Sequence, residues 1–235
     1  AADRAAVTLV DLRALPGLDG VAVADDGTLR IGALATQRAV ERAPRVAARW
    51  PLLATALRHV GSPAVRHRGT VVGSLAHADP AAEVPAAALA LDGVAEVAGP
   101  GGARRAVPVA QLLAGPRRTA LAPGELIVAL RLPPPAPGER QAWLEFAPRR
   151  FDLPLVGVAA RLGPDGRGRL ALAGVGPTPV AAPLALDGAG AAADAVEALV
   201  AALDPPTDAR ATAALRRHLA RTLARRALAR LQEER

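Results

Sequence analysis

The sequence predicts an α+β fold of antiparallel sheets and helices, divided into two domains. Two hairpin signals support the antiparallel sheets. In the first, Val21 to Ala24 and Thr28 to Ala33 flank an Asp-Gly turn, which is typical of a tight hairpin. In the second, Val94 to Ala98 and Arg104 to Val107 flank a glycine-rich turn. The third observation is Pro133–Gly138, a proline-rich run that can continue neither a helix nor a sheet interior. We therefore expect one domain over residues 1–135 and another over 136–235.

Local signals predict the remaining elements of the first domain. Val7 to Leu12 is apolar enough for a short buried strand. Thr36 is placed to cap a helix that runs toward Arg42, and Pro51 to open a helix that runs to His59. Val109 to Leu113 predicts one or two helical turns, and Glu125 to Leu132 predicts a strand.

The second domain reads as a three-stranded antiparallel sheet packed on helices. The strands are predicted at Gln141 to Phe146, Leu155 to Leu162 and Arg169 to Val175. A first helix is expected over about Ala191 to Leu203. The last helix is amphipathic. Its expected apolar side consists of Leu215, Leu219, Leu223, Ala227 and Leu231, and its expected polar side of Arg216, Arg217, Arg221, Arg225 and Arg226.

The basic net charge is weak evidence for any particular class of binding partner. The net charge is +7, and the sequence contains no Lys, so every basic residue other than His is Arg. This pattern indicates a compositional bias of the genome, and net charge bears mainly on solubility and association. An alternative is that the arginines of the last helix bind nucleic acid, with an affinity that falls steeply with salt. Aromatic residues for stacking on bases are scarce at 2%, so we predict no nucleic-acid partner.

The chain has no Cys, which excludes disulfides, thiolate zinc sites and iron–sulfur clusters ligated by this chain. No apolar run approaches the roughly 18 residues that a membrane span needs, and no transmembrane segment is predicted. The first residues lack the apolar core of a signal peptide. We therefore expect a cytoplasmic protein.

The most informative segment runs from Gly69 to Glu83. Gly69 and Gly73 leave room for a phosphate or a flat ring to approach the backbone, and Thr70 and Ser74 add hydroxyl donors. Asp79-Pro80 is predicted to open a helix, with Asp as the cap. A lone motif of this kind fits a polar loop before a buried helix about equally well, so by itself it does not decide the function.

A longer stretch around this motif is more specific. Residues 58–86, which include Gly69-Thr70-Val71-Val72-Gly73-Ser74, resemble the second flavin-binding segment of the medium, FAD-binding subunit of molybdenum hydroxylases, the group of aerobic carbon monoxide dehydrogenase and xanthine dehydrogenase. Residues 29–36, 151–160 and 174–180 resemble other parts of that subunit, in the same order. The resemblance implies a PCMH-type FAD-binding domain, incomplete at its N-terminus, followed by the family's C-terminal domain.

The resemblance also implies a function and partners. The chain is expected to be an oxidoreductase subunit that passes electrons through FAD to an external acceptor. The molybdenum cofactor and the [2Fe-2S] clusters belong to a large and a small partner subunit. The flavin does the redox work, so no catalytic acid, base, nucleophile or metal ligand is expected in this chain.

The resemblance further implies which residues bind FAD. The pyrophosphate and ribityl chain would contact the run Thr70, Val71, Val72, Gly73 and Ser74. His77, Asp79 and Glu83 would line the flavin side of the same segment, and Ile127 would pack near the ring.

Two departures from the family pattern bear on the affinity. Val72 stands where the family has the first of two glycines, and it adds bulk where backbone and cofactor meet. The family's opening βαβ unit, with a glycine-rich phosphate loop, has no counterpart before Val7. We therefore expect these 235 residues alone to hold FAD weakly or not at all. The alternative is a structural or vestigial subunit that no longer binds FAD.

Overall fold

The computed structural model describes residues 8–186, 188 and 190–233. It has the predicted α+β class, with two large antiparallel sheets, one small two-stranded sheet, and helices packed on the large sheets. Both predicted hairpins are confirmed: the first pairs Val21 with Ile31, and the second pairs Ala95 with Val107.

The first sheet has five strands, and its inner strands form much of the first hydrophobic core. Its order is β1-β2-β7-β3-β4, and a small separate hairpin of β5 and β6 follows β4 along the chain. The strands are β1 (Val21–Val23), β2 (Leu29–Gly32), β3 (Val94–Ala98), β4 (Arg104–Pro108), β5 (Leu113–Gly115), β6 (Arg118–Thr119) and β7 (Leu126–Leu132).

Seven helices belong to the same half of the described chain. They are α1 (Gln37–Arg42), α2 (Pro44–Arg49), α3 (Pro51–His59), α4 (Pro63–Arg68), α5 (Val71–His77), α6 (Glu83–Ala90) and α7 (Val109–Leu112). The predicted caps are confirmed for α1 and α3: Thr36 accepts a hydrogen bond from the Ala39 amide, and Pro51 is the first residue of α3. All eight residues of α6 are buried, which makes this helix the centre of the molecule.

The second half contains one strand more than the sequence predicts. Its sheet has the order β11-β10-β9-β8, and two helices cover one of its faces. These elements are β8 (Arg140–Phe146), β9 (Val156–Leu162), β10 (Arg167–Ala173), β11 (Val180–Ala185), α8 (Ala191–Ala201) and α9 (Ala213–Glu233).

The second sheet lies between two layers of helices. Side chains alternate across a strand, so Val158 and Leu172 join the core under α8 and α9, whereas Ala159 and Ala171 join the core around α3 and α6. Because the face that carries Ala159 and Ala171 has small side chains, the central helix α6 can approach β9 and β10 closely. The two halves therefore share the core around α6 and pack directly on each other.

The first segment of the chain also differs from the prediction. The expected strand over Val7 to Leu12 is absent: residues 8–11 form no regular structure and Leu12–Ala14 is a 3-10 turn, with Leu9 91% exposed. Val7 lies outside the described residues. Asp11 turns the backbone by accepting a hydrogen bond from the Arg13 amide, and no strand pairs with this segment.

The buried face of α9 is also rotated from the prediction. Leu215, expected to be apolar and buried, is 41% exposed, whereas Arg216, expected on the polar side, is only 3% exposed. The buried positions on this helix include Ala220, Leu223, Ala224, Ala227, Leu228 and Leu231. Among the described residues, no helix is long and apolar enough to cross a membrane.

Candidate functional site

The segment that the sequence singles out is mostly helical. Residues 71–77 form α5, and Thr70 caps it by accepting a hydrogen bond from the Gly73 amide at 2.9 Å. The predicted phosphate loop is therefore the first turn of a short helix. Thr is a favoured N-cap residue, and Thr70 acts as one here.

One side of α5 presents small and polar groups to solvent. Gly73 and His77 are exposed, and Thr70 and Ser74 are partly exposed. Residues at i, i+3, i+4 and i+7 share one helix face, so these four residues form a continuous strip along the helix. We call it the α5 strip. It brings together four of the residues that the sequence analysis selected.

Val71 and Val72 lie on the opposite side of α5. Val71 is fully buried and Val72 is 4% exposed, and both belong to the hydrophobic core. Only their backbone atoms can face the strip. The bulk of Val72, expected to crowd a cofactor, is therefore accommodated inside the protein.

Asp79 follows α5 but does not cap the next helix, contrary to the prediction. The helix α6 begins at Glu83, and the Asp79 carboxylate instead accepts a hydrogen bond from the Ala81 amide. Its other oxygen lies 3.1 Å from a guanidinium nitrogen of Arg117. Because the carboxylate is already satisfied by these two partners, Asp79 shapes the turn between α5 and α6.

Arg117, which no sequence pattern indicates, holds that turn from the small β5–β6 hairpin. Its backbone amide donates to the Ala78 carbonyl at 2.9 Å, while its side chain pairs with Asp79. Both Ala78 and Arg117 have positive φ angles, of 50° and 53°, which non-glycine residues rarely adopt. No spacing in the sequence indicates this contact, since it depends on two turns meeting in space.

The second half of the chain supports the same turn. The Gly174 amide donates to the Pro80 carbonyl at 2.9 Å. The Gly174 carbonyl in turn accepts a hydrogen bond from the buried Arg216 at 3.0 Å. These residues line a cavity of about 1050 Å³ at the junction of the two halves.

Glu83 and Ile127 are less accessible than the sequence analysis expected. Glu83 is 2% exposed, and its Oε1 atom has no hydrogen-bond partner among the described residues. The pKa of Glu83 is raised to about 7, chiefly by burial and also by the nearby carboxylates of Glu145 and Asp79, while a hydrogen bond from its own backbone amide and the charge of His59 oppose the rise. Ile127, on β7, is 6% exposed and packs in the core.

A second group of polar residues lies near Glu83 and was also missed. Nδ1 of His59 is 3.1 Å from Oε1 of Glu145, and Nε1 of Trp143 donates to Oε2 of the same carboxylate at 2.9 Å. The hydrogen bond to Glu145 raises the pKa of His59. The indole of Trp143 lies against Gly157, where a Cβ atom would stand 2.8 Å from the ring. Packing therefore fixes the tryptophan that orients Glu145.

Comparison with known protein families shows to which family the chain belongs. Residues 2–135 match the model of the FAD binding domain in molybdopterin dehydrogenase. Residues 142–231 match the model of the carbon monoxide dehydrogenase flavoprotein C-terminal domain.

The chain belongs to the family of FAD-binding subunits of molybdenum hydroxylases.

Individual members of the FAD-binding subunit family resemble it along most of its length. The 6-hydroxypseudooxynicotine dehydrogenase complex subunit alpha of Paenarthrobacter nicotinovorans is 33% identical, over 94% of this chain and 78% of the relative. The carbon monoxide dehydrogenase medium chain of Afipia carboxidovorans is 33% identical, over 94% of this chain and 80% of the relative. A structure of carbon monoxide dehydrogenase from Hydrogenophaga pseudoflava, lacking the Mo-pyranopterin moiety, superposes with a TM-score of 0.84 at 31% identity, covering 90% and 77% of the two chains. The chain is thus a subunit of the oxidoreductase class, with FAD as the cofactor of its family.

The residues of this FAD-binding subunit fit such a cofactor. A Cβ atom at Gly73 would stand 2.7 Å from Oγ1 of Thr70, so a side chain there would disturb the cap and cover the α5 strip. The strip offers hydroxyl and imidazole groups that can donate to phosphate oxygens. Nearby, Glu83 keeps a buried oxygen without a protein partner, which is the situation expected beside a bound polar group.

The position of Val72 leads to a prediction. In this FAD-binding subunit, Val72→Gly should lower the free energy of unfolding by about 2 to 3 kcal/mol, because it removes a buried side chain and places glycine inside a helix. It should not increase FAD affinity, since the Val72 side chain is buried on the side of α5 opposite the strip. Denaturant unfolding and FAD titration measure the two effects. Val65→Gly is the matched control, because Val65 is 52% exposed on α4 and should lose less than about 1 kcal/mol. Tighter FAD binding in Val72→Gly would show that the valine does obstruct the cofactor.

Proposed function

We propose that this chain is the flavoprotein subunit of a cytoplasmic molybdenum hydroxylase and passes electrons from the iron–sulfur clusters of a partner subunit through FAD to an external acceptor. Its other partner in this proposal is a large subunit that carries the molybdenum cofactor, and no nucleic acid takes part. The observation that carries the proposal is the α5 strip, which presents Thr70, Gly73, Ser74 and His77 on one exposed helix face in a chain of this family.

The individual residues take the following roles in the proposal. The backbone from Thr70 to Ser74 holds the pyrophosphate and ribityl chain, with Val71 and Val72 contributing only their peptide groups. His77 and the turn fixed by Asp79 lie toward the flavin. Glu83 and Ile127 support the flavin end from within the core. The FAD-binding domain ends at about residue 135, and residues 136–235 form the C-terminal domain.

The bound flavin supplies the redox chemistry, and the protein supplies its placement and electrostatics. The strip holds the phosphates through hydroxyl and peptide donors. Ala78 ends α5 in the left-handed conformation, and Arg117 stabilises the turn that follows by pairing with Asp79. This turn determines the direction in which the chain leaves α5 toward the buried start of α6. The Gly174 amide hydrogen-bonds to this turn, so the position of residues 69–83 depends on the C-terminal half of the chain.

The test is to isolate the complex through an affinity tag on this chain and to analyse it for FAD, molybdenum and iron. We expect FAD together with both metals in the complex, whereas the isolated chain is expected to hold FAD weakly or not at all. A complex that contains the metals but no flavin would overturn the electron-transfer role and leave the chain as a structural subunit. Copurified proteins without molybdenum or iron–sulfur centres would refute the assignment to a molybdenum hydroxylase.

The role of the α5 strip is tested by the double substitution Ser74→Ala and His77→Ala in the same complex. Loss of two polar contacts, each contributing about 0.5–1.5 kcal/mol, should weaken FAD binding roughly tenfold. The measurement is FAD retained after dilution and gel filtration. His218→Ala is the control, because His218 is an exposed histidine on α9, outside the strip. Unchanged retention in the double variant would show that the strip does not bind FAD.

A further inference from the structure

Glu83, His59 and Glu145 form a set of titratable groups, of which only Glu83 has a proposed place beside the flavin. His59 and Glu145 are in direct contact at 3.1 Å. Glu83 interacts electrostatically with both of them, although it lies on a different helix from His59 and Glu145 lies on β8. The three residues thus come together from α6, α3 and the second sheet.

The set runs from solvent into the core. The His59 side chain is 43% exposed, whereas that of Glu145 is 6% exposed. Glu83 is 2% exposed, and its Oε1 atom has no partner among the described residues. Exposure therefore falls along the order His59, Glu145, Glu83, and the innermost group keeps a free oxygen that can exchange a proton with a bound group.

A cavity gives the outer end access to water. His59 and Glu145 line a cavity of about 350 Å³, and the other charged groups in its wall are Arg58, Arg149 and Arg150. The guanidinium of Arg150 stacks on the ring of Phe151, 4.8 Å from its centre. Within this wall, Nδ1 of His59 donates to Oε1 of Glu145 across 3.1 Å.

The charged groups around the inner end are few. Asp79 faces Glu83 from the preceding turn, Glu145 from β8 and His59 from α3, while Arg66 of α4 acts on His59. The arginines of the sheet that touch α6 lie at its other end, where Arg161 donates to the Ala90 carbonyl and Arg169 to the Leu89 carbonyl. Burial with two acidic neighbours and one basic one leaves Glu83 poised to change protonation near neutral pH.

Electron transfer through a flavin requires protons. Full reduction follows FAD + 2 e⁻ + 2 H⁺ → FADH₂, whereas iron–sulfur clusters deliver electrons alone, so the protons must come from the protein or from solvent. Resting on the proposed function, we infer that His59, Glu145 and Glu83 form a path that carries protons between the solvent cavity and the flavin of this subunit. On reoxidation, the same groups return the protons to solvent.

The experiment uses the isolated complex and reduced methyl viologen as the electron donor, because its oxidation releases electrons and no protons. Flavin absorbance gives the reduction rate from pH 5.5 to 9, and a pH-indicator dye records proton uptake. Glu83→Gln keeps the size of the side chain but cannot release a proton, so the flavin should reduce at least about tenfold more slowly at pH 7 and the inflection near neutral pH should disappear. Infrared spectroscopy should show a protonated carboxyl band in the wild type that is absent from Glu83→Gln.

Two further variants keep the inference falsifiable. His59→Ala should slow proton uptake, and added imidazole should restore it, because the vacated site opens to the cavity and to solvent. Glu96→Gln on β3 is the control, since Glu96 pairs with Arg30 and Arg131 away from this set, and it should behave as wild type. If both variants bind FAD but retain the wild-type rate, pH profile and proton uptake, the path is refuted while the proposed function stands. A complex without FAD would refute both.

Discussion

Arg216→Ala should lower the free energy of unfolding by about 2–4 kcal/mol, because two buried carbonyls lose their donor and each costs about 1–3 kcal/mol when it is left unpaired. The Arg216 guanidinium donates to the carbonyls of Leu155 and Gly174 at 2.8 and 3.0 Å, and to Asp208 at 2.8 Å. Alanine leaves two buried carbonyls without their donor. It also removes the side chain that fixes Gly174, whose backbone has a φ of 77° and approaches Leu155 so closely that no Cβ atom fits.

The neighbouring residue provides the control for this prediction. The side chain of Arg217 is 41% exposed and pairs at 3.7 Å with Asp204, so Arg217→Ala should change the stability by less than about 1 kcal/mol. Urea unfolding of both variants measures the difference. Hydrogen exchange of the Gly174 amide, which donates to Pro80 in the flavin segment, should accelerate in Arg216→Ala alone. Equal unfolding midpoints for the two variants would mean that the buried Arg216 side chain stabilises the fold no more than the exposed Arg217 side chain does.

Elements with their own local signal could be predicted from the sequence. Both hairpins carry turn residues between β-type runs, and the helices α1 and α3 carry a Thr cap and an N-terminal Pro. The strand β11 was missed because its sequence contains Pro183 among small residues. A proline argues against a central strand but is tolerated at a sheet edge, and β11 is an edge strand. The edge position depends on the tertiary fold and leaves no mark in the local sequence.

For the candidate site as well, the sequence indicated the residues that share a local motif and did not indicate contacts that depend on the tertiary fold. The α5 strip follows from one short motif, so its residues could be selected from the sequence, although the motif forms a helical turn and not a loop. His59 and Glu145 lie far apart in the chain and meet only because α3 packs on β8. The burial of Arg216 likewise depends on the rotation of α9 against the sheet. Helical periodicity indicates an apolar face but leaves that rotation free when leucine and alanine occupy most of the turns.

Glu83→Gln should stabilise the protein in a pH-dependent way. Burial raises the pKa of Glu83 from its ordinary value of 4.5 to about 7 in the folded state. Below pH 4.5 the group is protonated in both states and does not affect the balance. As the pH rises toward 7, ionisation favours the unfolded chain, so the wild type loses about 3 kcal/mol of stability that glutamine retains. Above pH 7 the difference should stay constant.

The measurement is the unfolding free energy of both proteins at several pH values from 4 to 9. Glu125→Gln is a control of opposite sign, because hydrogen bonds from Arg105 lower the pKa of Glu125 to about 2. Its carboxylate stabilises the fold above pH 4.5, and this stabilisation is lost as the pH falls toward 2, so Glu125→Gln should be less stable than the wild type at neutral pH. A difference between Glu83→Gln and the wild type that does not vary with pH would mean that the folded protein holds Glu83 ionised. The buried set would then lack the neutral acid on which a proton path depends.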